Sequence, residues 1–136
     1  MLAVDDALYS VLSAGTALTA LLGGTAIYNA LGPRGTATAT YPLVIFTKSA
    51  GTDDNDSPRR TKSLLYQATG ISAKGKKEAE DIDNAIDTLL HDAALSVSGW
   101  SEYWVRRESD ISYVEQIPGG KVLWHEGGLY RVRIQD

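Results

Sequence analysis

An α+β domain, built on a mainly antiparallel four-stranded sheet that ends in a long β-hairpin and carries its helices on one face, is the fold class this sequence predicts. Three observations carry it. Ala79, Ile82, Ala85, Ile86, Leu89, Leu90 and Ala93 recur at helical spacing and form one apolar stripe. Tyr103 to Ile117 alternates as a strand does, meets a turn at Pro118-Gly119-Gly120, and returns through Val122 to His125 into the closing Leu129-Tyr130-Arg131-Val132-Arg133-Ile134. Between the chain start and that stripe lie two shorter runs of strand character, Leu43 to Thr47 and Thr61 to Ile71.

In chain order, Val4, Ala7, Leu8, Val11 and Leu12 mark an opening amphipathic helix, with Asp5 and Asp6 in its first turn where the helix dipole favours acids. Gly15 breaks it. Thr16 is placed to cap a second short helix carrying Leu18, Leu21 and Leu22, which Gly23-Gly24 ends. Residues 25–40 mix Gly, Pro, Ala and Thr and predict a surface connection with at most a short strand about Ile27. Tyr41-Pro42 leads the apolar strand Leu43 to Thr47, since Pro is acceptable at a strand's first position. The polar stretch from Gly51 to Arg60 has no apolar anchor and predicts a mobile loop. In the strand Thr61 to Ile71, Leu64, Tyr66 and Ala68 alternate against Leu65, Gln67 and Thr69. Ser72 is positioned to cap the long helix, Ala73 to about Ala93, whose polar face carries Lys76, Lys77, Glu80, Asp83 and Asp87. Lysines at its start oppose the dipole preference, and the packed stripe must outweigh them. In the hairpin, Asp110 is the candidate site of one bulge and Gly127-Gly128 of another.

At 136 residues the chain suits one domain spanning 1–136, which buries roughly two-thirds of the surface its unfolded chain exposes. There is no cysteine, so disulfides and thiolate metal sites are excluded and a cytoplasmic site of assembly is expected. Thirteen Lys and Arg against seventeen Asp and Glu give a formal charge of −4, which argues against sequence-independent grip on nucleic acid. Ser10, Ser13, Gly15, Thr16 and Thr19 interrupt the apolar run from Leu8 to Leu22, making it a poor membrane span, and Asp5 and Asp6 stand where a signal peptide would be basic. A soluble protein is expected.

The chemistry-bearing patterns fall short of sites. His125-Glu126 begins a zinc-protease signature, but Leu129 stands where the second His belongs and the pattern lies on a strand. Ser96-Val97-Ser98-Gly99 follows a helix instead of a strand and forms no nucleophile elbow. Asp81 with Asp83, and Glu108 with Asp110, are expected on solvated faces. Asp53, Asp54 and Asp56 lack the Gly and the distant Glu of a calcium loop. No catalytic residue, metal or cofactor is predicted. Arg106, Arg107, Arg131 and Arg133 near Trp104, Trp124 and Tyr130 suit a protein interface better than a single-strand platform, given the negative charge.

The order of these features resembles that of the tail-completion or tail-terminator proteins of long-tailed bacteriophages and prophage-derived particles. The residues that carry the resemblance are Ala26-Ile27-Tyr28, Leu31-Gly32-Pro33, Tyr41-Pro42-Leu43-Val44-Ile45-Phe46 and the Gly128-Leu129-Tyr130-Arg131-Val132 ending, in that order along almost the whole chain. The resemblance implies a virion protein that forms a ring, usually hexameric, on the last ring of the tail tube, stops tail growth and meets the neck of the head. Its implied partners are copies of itself, the tail tube protein and neck or connector proteins, with DNA passing through the lumen unbound and no membrane involved. On that basis Asp53, Asp54, Asp56, Arg59 and Arg60 are expected to contact the tube or line the lumen. Trp104, Arg106, Trp124, Tyr130 and Arg131 are expected to pack the sheet or a neighbouring subunit. A head-to-tail connector of the neck is the rival within the virion, with a small hydrolase and a nucleic-acid-binding module further off.

Overall fold

The computed structural model describes residues 2–30, 40–55 and 59–136, apart from the side chains of 102 and 103. The elements run α1 (Leu2–Ala14), α2 (Thr16–Leu22), β1 (Ile27–Asn29), β2 (Leu43–Asp53), β3 (Thr61–Ser72), α3 (Lys76–Leu90), β4 (Ser101–Ile117) and β5 (Lys121–Gln135). The strands form one sheet in the order β1-β2-β3-β5-β4.

The expected four antiparallel strands are therefore a five-stranded mixed sheet. β1 pairs parallel with β2, Ile27 opposite Val44 and Asn29 opposite Phe46, while every other pairing is antiparallel. Three residues are too few to show an alternation in sequence. What makes them a strand is the backbone beside them: Val44 N–H donates to the Ala26 carbonyl and Ala30 N–H to that of Phe46, both at 2.9 Å.

Helix boundaries differ from expectation for local reasons. Gly15, not Thr16, caps α2, and the chain leaves it through Gly23 at φ 71°. A Cβ at Gly15 would come within 2.4 Å of Leu89 Cδ1, so any larger residue there requires the Leu89 side chain to move. Ser72 closes β3 instead of capping α3. Its hydroxyl accepts from Lys74 N–H at 3.0 Å and Gly75 N–H at 3.3 Å and donates to Glu78 Oε1 at 2.7 Å, which tightens the turn and delays the helix to Lys76.

The helices lie on one face of the sheet, as the pattern predicts. Ile82, Ile86 and Leu90 of α3, with Leu8, Leu12 and Leu18 of α1 and α2, are fully buried against Phe46, Tyr66, Tyr130, Val132 and Ile134. Burying each such side chain stabilises the fold by about 1.5–3 kcal/mol. A hydrogen bond from Tyr66 Oη to Asp5 ties α1 across to β3. Leu43, Ile71 and Leu123 form a smaller cluster with Tyr28, Tyr41, Ile45 and Ile117.

β2 runs six residues beyond the expected Thr47, so Gly51, Thr52 and Asp53 of the expected loop are paired with Leu64, Ser63 and Lys62. This part of β2 is exposed on both faces, so it carries no apolar alternation to read. The hairpin β4–β5 is continuous. Its bulges fall in β4, between Glu102 and Trp104 and between Arg107 and Ser109, two residues before the expected Asp110.

Gly127-Gly128 is not a bulge, because β5 pairs with β3 without a register shift from Trp124 to Gln135. The two glycines answer to crowding. A Cβ on Gly127 would meet the Ala68 carbonyl oxygen at 2.2 Å, and one on Gly128 would meet Arg107 Cζ at 2.7 Å. Ile82→Ala is expected to cost about 2–5 kcal/mol by urea unfolding, through the cavity it leaves. Gly127→Ala, which adds one methyl where backbone would have to move, is expected to cost about 1–3 kcal/mol by the same measurement.

Candidate assembly surfaces

Alternation along β4 puts Val105 and Arg107 on the helix-bearing face, opposite Val132 and Tyr130 of β5. Val105 is core. Arg107 is a cation in an otherwise apolar register, and α3 answers it with Asp83. The guanidinium grips that carboxylate as a fork, Nη1 to Oδ1 at 2.7 Å and Nη2 to Oδ2 at 3.0 Å. It also donates from Nε and Nη2 to Asp110 Oδ1 at 3.0 and 2.9 Å, from Nη1 to Tyr130 Oη at 3.0 Å, and from Nη2 to the Gly127 carbonyl at 2.9 Å. Tyr130 Oη in turn donates to Asp87 Oδ1 at 3.1 Å. The side chains of Arg107 and Asp83 are 17% and 13% exposed. The hydrogen bonds it donates to Asp83 raise the Arg107 pKa above its ordinary value, and burial pushes that of the Tyr130 phenol up.

A polar cleft of about 600 Å³ opens above this cluster between α3 and the hairpin, lined among others by Lys76, Glu80, Asp87, Ser112 and Glu126. Its groups are engaged with one another: Ser112 Oγ donates to Glu126 Oε1 at 2.7 Å, and Lys76 Nζ lies 4.0 Å from the same carboxylate. Among the described residues no buried side-chain nitrogen or oxygen lacks a partner, and no group of three or more His, Asp or Glu is gathered as a metal site would need. His125 is buried, stacked on Tyr113 with ring centroids 4.2 Å apart, and its Nε2 is 2.9 Å from Glu115 Oε1. Chemically the cluster is a clamp, joining α3 to the hairpin through one cation.

The loop residues expected to contact a tube lie at the sheet's other end. Asp53 pairs with Lys62 Nζ at 2.8 Å, and that hydrogen bond holds its carboxyl below the usual range. Asp54 pairs with Arg133 Nη2 at 2.8 Å. Arg60 exchanges backbone bonds with Asp136, its N–H reaching Oδ1 at 2.7 Å and its carbonyl accepting from Asp136 N–H at 3.0 Å. Arg59 and Arg60 are exposed. Asp56 lies outside the described residues.

The five residues expected at an interface or in the sheet do not form one patch. Trp104, Arg106 and Arg131 share the helix-free face, where the Arg106 guanidinium sits 5.0 Å over the Trp104 ring. Arg131 grips Glu108 at 2.8 and 3.2 Å and lowers the pKa of that carboxylate. Trp124 lies towards the tip of the hairpin, lining a groove with Tyr41, Ile117 and Val122. Tyr130 is fully buried on the helix side. The sequence reading groups Arg107 with the interface arginines and leaves Asp83 on a solvated face, so it misses their pairing. A signal existed in Arg107, which shares a strand face with buried Val105.

The family model of tail completion protein gp17 matches residues 6–116. The chain belongs to that tail completion family. The matched span runs from α1 through β4 and so includes Asp83, Arg107 and Asp110 of the clamp. Among solved structures, a chain from the virion of a native gene transfer agent particle is similar in fold, with a TM-score of 0.76 over 96% of this chain and 93% of that chain at 20% identity. No curated protein matches the chain.

Arg107→Met is expected to cost this tail completion family member about 3 kcal/mol, because it strands Asp83 in a largely dehydrated position. Adding Asp83→Asn should recover part of that loss in urea unfolding. Arg107→Lys should not substitute, since an ammonium cannot reproduce the fork.

Proposed function

We propose that this tail completion family member forms a ring on the last ring of the phage tail tube, stops tube growth, and joins the tube to the neck of the head. The observation that carries this reading is the family match over residues 6–116. The likeness of almost the entire fold to a chain from a gene transfer agent virion supports a place in the particle, which this reading sets at the tail–neck junction. Six subunits follow from the family resemblance, with the tail tube protein below and connector proteins above.

The physical character of the chain suits the role. A ring subunit needs a stiff sheet, and here α3 is clamped to the hairpin by Arg107 and by a buried apolar stripe. A net charge of −4 lets DNA pass a lumen without being held. Asp53 and Asp54, fixed by Lys62 and Arg133, and the exposed Arg59 and Arg60 form the rim assigned to the tube or lumen, a role this reading extends to Asp56 from the sequence. Trp104, Arg106 and Arg131, on the helix-free face, are assigned to subunit contacts. No catalytic step belongs to this reading.

Electron microscopy of particles made with the gene inactivated tests it. Overlong tails beside filled, tailless heads are expected. Free tails of normal length would assign a joining or connector role instead, and unaltered infectious particles would refute the proposal. Reversing the rim with Arg59→Glu and Arg60→Glu should change stability by no more than about 0.5 kcal/mol, because these side chains are exposed and the backbone bonds of Arg60 to Asp136 survive any substitution. The same variant should lower the yield of joined particles in a complementation assay.

A further inference from the structure

The structure leaves apolar side chains uncovered in two places, the end of the β4–β5 hairpin and the outer side of α1 and α2. β4 is one edge of the sheet, and β1, against which α1 packs, is the other. Past Ser72 and Trp124 the hairpin loses its pairing with β3 and continues as a two-stranded ribbon to Ile117 and Lys121. Leu123 anchors the ribbon on Leu43 and Ile71, with Tyr41 and Ile117 packed against them. Its end is apolar: Tyr113 and Val114 are 48% and 58% exposed, and Ile117, Val122 and Trp124 line an open groove of about 650 Å³. On the helices, Leu2 is 73% exposed and Tyr9, one heptad later on the same side of α1, is 41% exposed, as is Leu21 of α2.

Exposed lysines stand beside the first patch and, among the described residues, only acids beside the second. Lys121 is exposed at the hairpin end. Ala73 of the groove is followed by Lys74, Lys76 and Lys77, whose side chains are 82%, 61% and 88% exposed and lie 3.9, 4.0 and 3.1 Å from Glu78, Glu126 and Asp81. These lysines crowd the start of α3, where the helix dipole disfavours cations. The helices α1 and α2 carry no Lys or Arg; Asp5 is turned to Tyr66, and Asp6 is exposed. Charged residues on β4, among them Arg106, Glu108 and Asp110, guard its edge against simple strand addition, so contact through side chains at the ribbon end is favoured.

The geometry points to a head-to-tail contact between copies of this chain, in which the apolar, lysine-rimmed end of the β4–β5 hairpin docks on the acid-rimmed α1–α2 flank of the next copy. Because the two patches differ, the contact is heterologous and propagates around a ring instead of closing a pair. The inference rests on the ring proposed above and names the surfaces that build it.

The chain has no cysteine, so exposed positions can be linked selectively. Particles carrying both Val114→Cys and Tyr9→Cys, treated with a short bismaleimide, are expected to yield a ladder of multimers of this chain beyond the dimer. Each single variant should yield none. Dimers from Val114→Cys alone would show tip-to-tip contact and overturn the inference, as would linkage of Val114→Cys to a different virion protein. Microscopy of the same particles separates the two proposals: rings at the tail ends without a ladder overturn the docking alone, and tail ends without rings overturn both. Independently, Lys121→Glu should lower the yield of completed particles about tenfold through like-charge opposition, and Asp6→Lys in the same chain should restore it. An unaffected Lys121→Glu yield, or no rescue in the double variant, overturns the pairing of these rims.

Discussion

The fork between Arg107 and Asp83 is the constraint around which the rest of this fold is arranged. A guanidinium with donors on both sides reaches α3 through Asp83, its own strand through Asp110, and β5 through Tyr130 Oη and the Gly127 carbonyl. A single cation thereby fixes three elements. The desolvation cost of such a group is offset only when nearly all its donors are satisfied, which is the case here. The residues around it are shaped accordingly: Gly128 leaves the space that Arg107 occupies, and the β4 bulge between Arg107 and Ser109 lets the following residues bring Asp110 back to the guanidinium.

Packing and polar chemistry divide the sheet between them. On the helix-bearing face, apolar burial supplies most of the stability, with Tyr66 and Tyr130 entering the core and keeping their hydroxyls bonded to Asp5 and Asp87. Burial and the neighbouring Asp5 push the Tyr66 phenol well above its ordinary pKa, so it stays a neutral donor. On the helix-free face, charges pair across strands: Arg131 with Glu108, and Arg133 with Asp54. Exposed pairs of this sort contribute about 0–1 kcal/mol each. Their value lies in presenting a defined pattern of charge to a neighbour.

This division suits a part of an assembly. The clamp and core make the subunit stiff, while the uncovered apolar residues sit at the hairpin end and on the α1–α2 flank, away from the clamp. Lysines at the start of α3 are unfavourable for the isolated helix. Glu78, Glu126 and Asp81 lie within 4.0 Å of their ammonium groups and offset part of that cost.

The sequence by itself determined the α+β class, the three helices, the long hairpin and the helix-bearing face, because those depend on periodicities of 3.6 and 2 that local residues spell out. Ile82, Ile86 and Leu90 could be placed in the core from spacing alone. What only the tertiary structure decided was whatever depends on a distant partner. Ile27 becomes a strand because Val44 and Phe46 lie beside it, and Gly51 to Asp53 because Leu64 to Lys62 do. Gly127 and Gly128 look like a bulge in sequence and are crowding sites in space, and Asp83 looks solvated until Arg107, 24 residues away, reaches it. Periodicity records which way a side chain points. It does not record what the chain folds back to place there.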